Sequence, residues 1–136
     1  MAKFTPYPPP TPPTPKPGKV CEMTQCATED EEQARMVQWL NGRGWLFSAT
    51  ANGAGMGPAQ WRKMARTGVR RGVPDIVVFE ALAGFRGIAI EMKRAKGGTV
   101  SPEQGRWHAW LRERGWLVIV AKGWADGVRQ IEEALR

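Results

Sequence analysis

Asp75-Ile76-Val77-Val78-Phe79 and, seven residues later, Gly87-Ile88-Ala89-Ile90-Glu91-Met92-Lys93 are the stretch on which the fold turns. β-branched and aromatic side chains fit a pleated, half-buried surface, so each run reads as a strand. The connection Glu80–Arg86 is short enough to pair them as a hairpin. In a strand, side chains two apart project to the same side, which puts Glu91 and Lys93 on one face. Asp75 opens the neighbouring strand, so two carboxylates and an ammonium converge at one end of the sheet. Glu91 also interrupts the apolar run Ile88-Ala89-Ile90, and a carboxylate buried there needs a partner or a metal.

Working outward, Thr28-Glu29-Asp30-Glu31 has the form of a capping box with acids in the first turn. It predicts a helix to about Asn41 with Ala34, Val37 and Leu40 on one face, ended by Gly42 or Gly44. Trp45–Ala51 reads as a strand, followed by the glycine-rich loop Asn52–Gly57. Pro58 opens a second helix through Thr67. Beyond the hairpin, Ser101-Pro102-Glu103-Gln104 supplies an N-cap, an N1 proline and a Gln at the third position, starting a helix that runs to Arg114. Trp116–Ala121 is a buried strand, and Asp126–Leu135 a closing amphipathic helix. The order α-β-α-β-β-α-β-α gives an α/β domain, a mixed β-sheet flanked by helices.

The 136 residues suit one domain with a sizeable core. Eight of the 11 prolines fall within residues 6–17, marking residues 1–28 as a proline-rich tail and 29–136 as the folded domain. Its Pro-x-x-Pro spacing is the kind that docks on a partner protein, although a plain spacer is the stronger reading. No apolar run approaches the roughly 18 residues of a membrane span, and no secretory signal is evident. Cys21 and Cys26 form no second pair for a zinc site, and free thiols fit a cytoplasmic location. A single histidine, His108, excludes multi-histidine metal sites within one chain and is too isolated to propose as a general base. The net charge is +7, of which the last 108 residues carry +5, pointing to a polyanionic partner.

Carboxylates beside a lysine suit metal-assisted phosphodiester cleavage. Hard oxygen ligands hold Mg²⁺ or Mn²⁺ with water and substrate phosphate, and the ion activates a bound water. Lysine can hold that water or stabilise the pentavalent phosphorus. Arg62, Lys63, Arg66, Arg70 and Arg71 place five cations in ten residues just before Pro74-Asp75, and Arg94 and Lys96 follow Lys93. A solvated face explains most basic runs. Beside a phosphodiester site, these cations serve to neutralise DNA phosphates.

The ordered set Gly72-Val73-Pro74-Asp75, Glu91-Met92-Lys93 and Ser101-Pro102-Glu103-Gln104 resembles the PD-(D/E)xK nuclease superfamily, and within it the VRR-NUC branch in its small stand-alone phage and prophage form. The resemblance covers roughly Glu29 to Leu135. It implies a restriction-endonuclease-like fold and a Mg²⁺- or Mn²⁺-dependent endonuclease. Asp75 and Glu91 become metal-binding carboxylates, joined by the backbone carbonyl of Met92. Lys93 becomes the catalytic lysine, and Gln104 faces the active centre, although its capping-box position alone explains it. The family also places a glutamate on the first helix. Glu32 stands next to Gln33, as in the family, while helical phase favours Glu29, so the choice stays open with a lean to Glu32. The resemblance further implies a homodimer acting on branched DNA such as four-way (Holliday) junctions, in a bacterial, phage-encoded setting. The rivals are a non-catalytic DNA-binding module on the same fold and a nuclease subunit that depends on a partner.

Overall fold

The computed structural model describes residues 27–51 and 55–136. The proline run, Cys21, Cys26 and the Asn52–Ala54 part of the glycine-rich loop lie outside the described residues. The elements are α1 (Glu29–Arg43), β1 (Phe47–Ala49), α2 (Pro58–Arg66), β2 (Ile76–Val78), β3 (Ile88–Lys93), α3 (Pro102–Glu113), β4 (Leu117–Lys122) and α4 (Trp124–Ala134). Their order matches the sequence reading. One four-stranded sheet runs β1-β2-β3-β4. Its first three strands are antiparallel neighbours, and β4 lies parallel to β3 after the α3 crossover.

Local sequence explains the ends of the helices. Thr28 accepts from the Glu31 N–H while Glu31 reaches back to the Thr28 N–H, and Gly44 closes α1 in the left-handed conformation. Ser101 and Gln104 form the same reciprocal box at the start of α3. Strand β3 is buried along its whole length, as an interior strand covered on both faces must be. Ile88, Ile90 and Met92 face one side, joining Met36, Leu40 and Ile131 from α1 and α4 in the core. Ala89, Glu91 and Lys93 alternate to the other side, where α3 lies. The sheet is thus sandwiched, with the acid and the lysine beneath α3. No helix among the described residues is long and apolar enough to cross a membrane.

Two sequence readings need correction. The buried stripe of α1 is Glu32, Met36 and Leu40; Val37 is half-buried and Ala34 exposed. A glutamate on the inward face conceals that phase, because it breaks the apolar periodicity. The first strand spans three residues rather than Trp45–Ala51. Its partner β2 is itself only three residues long, with Phe47 opposite Val78 and Ala49 opposite Ile76. One further hydrogen bond extends the pairing at each end, Phe79 N to Leu46 O at 2.8 Å and Thr50 N to Asp75 O at 2.9 Å.

Candidate active site

The approach to Asp75 is set by backbone constraints. Gly72 has φ +83°, and a Cβ there would lie 2.5–2.8 Å from backbone atoms of Glu103 and Gln104. Only glycine lets the first turn of α3 sit this close. Pro74 is buried, and its carbonyl accepts from the Thr50 hydroxyl at 2.6 Å. Asp75 follows at 4 % exposure, with Oδ2 accepting from the Met92 N–H at 2.6 Å. That bond draws the Met92 backbone to the site while its side chain stays in the core.

Glu91 is fully buried. Its Oε1 accepts from Lys93 Nζ at 2.7 Å and from Gln104 Nε2. The two ends of Gln104 therefore do separate jobs, since its Oε1 caps α3 by accepting from the Ser101 N–H at 2.8 Å. The capping role and the site-facing role coexist. Glu91 Oε2 has no hydrogen-bond partner and lies 3.7 Å from His108 Nε2, which is likewise buried and unpartnered. Burial pushes the Glu91 carboxyl up to about 7; the Lys93 hydrogen bond opposes this, and the charges of Asp75 and Glu29 add to it. Burial also lowers the His108 imidazole, helped by the Arg112 and Lys93 cations and opposed by Asp75. His108 stands alone in the sequence, and only the fold brings it to Glu91. Its one available clue is the spacing: four residues past Gln104, it falls on the same face of α3.

A cavity of about 170 Å³ opens onto this cluster, lined by Glu29, Arg70, Gly72, Val73, Asp75, Glu91 and Gln104. Of the two first-helix glutamates, Glu29 lines the cavity and Glu32 does not. Glu32 Oε2 accepts from the Trp124 N–H at 2.7 Å, capping α4, whose N-cap Gly123 offers no side chain. The basic residues divide. Arg62, Lys63 and Arg66 are exposed on α2, and Arg94 and Lys96 are exposed after β3. Arg70 reaches the cavity, while Arg71 stacks on Trp61 at 4.3 Å.

Among the described residues, no three or more His, Cys, Asp or Glu side chains gather closely enough to hold a metal by themselves. Two carboxylates, one with an orphaned buried oxygen, fit a hard cation that keeps water and takes further oxygens from backbone and phosphate. Zinc-like nitrogen and sulfur donation does not fit this set.

A family profile described as the VRR-NUC domain matches residues 24–125. A solved structure titled "VRR_NUC domain protein" is similar to the chain at 23 % identity and a TM-score of 0.69, covering 82 % of this chain and 90 % of that one. No curated protein matches in sequence. At that identity the structural likeness speaks for the fold alone, while the profile spans most of the chain and includes Asp75, Glu91, Lys93 and Gln104. The chain belongs to the VRR-NUC domain family, a nuclease-like family whose mixed α/β fold it shares.

Proposed function

We propose that this protein is a PD-(D/E)xK-type endonuclease that hydrolyses DNA phosphodiester bonds with Mg²⁺ or Mn²⁺. The observation that carries the reading is the buried Glu91 carboxylate, with one oxygen held by Lys93 and Gln104 and the other unpartnered, beside Asp75 at the floor of an open cavity. A protein with no use for this cluster gains nothing from an orphaned buried carboxylate oxygen, which costs on the order of 1–3 kcal/mol. A non-catalytic DNA-binding module leaves that oxygen without a purpose.

Asp75, Glu91 and the Met92 carbonyl are the groups that would hold the cation. The cation supplies charge neutralisation at the phosphate and a bound water of lowered pKa. Lys93 Nζ, anchored at 2.7 Å by Glu91, is fixed where it can hold the attacking water or stabilise charge on phosphorus. Gln104 clamps the same Glu91 oxygen and locks its rotamer. Glu29, at the cavity rim, is the first-helix glutamate we assign to the site, and Glu32 the one that secures α4. Arg70 meets the incoming phosphate, and Arg62, Lys63, Arg66, Arg71, Arg94 and Lys96 bind the flanking backbone, giving salt-dependent affinity. We further propose a homodimer acting on branched DNA such as four-way junctions, because paired cuts in two strands need two sites.

The test is cleavage of a labelled panel (four-way junction, flap, duplex, single strand) with Mg²⁺, Mn²⁺ or EDTA. Asp75→Asn, which keeps an acceptor for the Met92 N–H, and Lys93→Ala run alongside, with folding checked by circular dichroism. Metal-dependent cutting that both folded variants lose supports the reading, and the preferred substrate names the DNA class. Salt-sensitive binding without cutting in either metal overturns it.

A further inference from the structure

The basic tract and the catalytic cluster leave unexplained an indole that the fold holds out to solvent. Trp110 on α3 is 47 % exposed, although core packing is the usual fate of tryptophan. It is not a loose side chain on an indifferent surface. Trp107 donates Nε1–H to the Arg71 carbonyl at 2.9 Å, which pins that indole to the turn whose next residue, Gly72, lines the cavity. Trp110 meets Trp107 edge-on, with ring centroids 5.9 Å apart and planes at 74°. Arg114 donates to the Trp110 carbonyl at 2.9 Å, and Arg106 lies one helical turn before Trp110 on the same face. Both guanidinium side chains are well exposed, and each makes only a long surface ion pair, Arg106 with Glu103 at 3.9 Å and Arg114 with Glu113 at 4.0 Å. The result is an aromatic ledge beside cations, its Trp110 end about 9 Å along the helix axis from Gln104.

We infer that the Trp107–Trp110 ledge is a stacking platform for an unpaired base of the nucleic acid whose backbone lies across the catalytic cavity. An aromatic face set among arginines is the arrangement that binds single-stranded nucleic acid, since every base offers a π-face and every linkage a phosphate. A base inside a duplex has both faces covered by its neighbours. Only a strand that has lost its partner near the scissile phosphate can use Trp110. Among branched DNAs the ledge therefore favours those that expose an unpaired nucleotide next to the cut, such as a flap or a junction opened at its branch point, an inference that rests on the nuclease reading and adds a recognition element outside the metal cluster.

The test is equilibrium binding by fluorescence anisotropy in EDTA, so that no cutting intervenes. The full chain is titrated into a fully paired duplex and into the same duplex carrying a single-stranded tail. The wild type binds the tailed DNA more tightly, and Trp110→Ala loses roughly 5- to 100-fold on it while its affinity for the paired duplex barely moves. Trp110→Phe, which keeps a ring, retains most of the preference. Arg66→Ala weakens both substrates alike. Equal affinity of wild type and Trp110→Ala for the tailed DNA overturns the inference and leaves the nuclease reading intact. Equal loss on both substrates, with a change of oligomeric state by light scattering, overturns it in favour of a contact between two copies. Binding of neither DNA by the wild type, whether in EDTA or with Ca²⁺ in its place, overturns the ledge and the nuclease reading together.

Discussion

Two carboxylates lie beyond or within the same end of the parallel pair β3–β4, and the protein treats them in opposite ways. Asp126, in the first turn of α4, has every oxygen engaged. Oδ1 accepts from Arg129, and Oδ2 accepts from the Lys122 N–H and from Gln130. Burial pushes its carboxyl up, but the bonds from Arg129, Lys122 and Gln130 outweigh that and hold it below its usual value. Glu91 has one oxygen held and one stranded against His108, and burial carries it up to about 7. One group is placed where its charge stabilises the fold. The other sits where its charge costs stability, which fits the chemical role proposed for it.

The largest expected effect comes from breaking the buried pair. Lys93→Ala removes the ammonium from a Glu91 that stays buried, and should lower stability by about 3–5 kcal/mol near pH 8. Glu91 has a raised folded value, so its contribution is fully present below its usual 4.5 and is lost as pH rises through about 7. The penalty of the variant should therefore shrink towards pH 5, where Glu91 carries a proton and needs no counter-ion. Urea titrations of both proteins at pH 5 and pH 8 check this; a penalty that does not change with pH removes the contrast with Asp126.

Next in size is the response to metal. A cation that binds only the folded state stabilises it by about 3 kcal/mol at a hundredfold excess over its Kd. Mn²⁺ or Mg²⁺ should raise the melting temperature of the wild type and not of Asp75→Asn. The increment should be greater at pH 8 than at pH 6, because the cation competes with the proton on Glu91. Adding EDTA should reverse it.

The two first-helix glutamates sharpen the same distinction inside one helix. Glu32→Ala should cost about 1–2 kcal/mol by uncapping α4 while cleavage persists below the melting range. Glu29→Ala should leave stability within about 0.5 kcal/mol and reduce cleavage. If Glu32→Ala instead abolishes cutting in a folded protein, the assignment of the pair is reversed.

This last pair shows what a sequence can and cannot disclose. Elements bounded by local chemistry were legible: the Thr28 and Ser101 capping boxes, Pro58 opening α2, and the hairpin around Glu80–Arg86 all rest on neighbours in the chain. So was the convergence of Asp75, Glu91 and Lys93, since strand alternation and a short loop dictate it. Hidden was everything decided by a distant partner. Glu32 turns inward because Gly123 leaves α4 without a cap 92 residues away. His108 meets Glu91 only once the crossover folds α3 over β3. Gly72 looks like ordinary turn punctuation until the α3 backbone closes over it.

The smallest expected effect completes the comparison from the other side. Asp126→Ala removes three hydrogen bonds at a half-open surface site, and should cost about 1 kcal/mol near neutrality. Because the folded value of Asp126 is depressed, its contribution is present above the usual 3.8 and is lost as pH falls through the folded value. The variant and the wild type should therefore converge in strong acid, whereas the Glu91 contribution changes between 4.5 and about 7. The two windows do not overlap, so one stability profile against pH separates them. The metal-free wild type should lose stability upward through the Glu91 window and downward through the Asp126 window. Asp126→Ala should flatten only the acid limb. Flattening of the upper limb as well would mean that the two carboxylates are coupled through β3 and β4, and that the engaged acid and the stranded one are not independent.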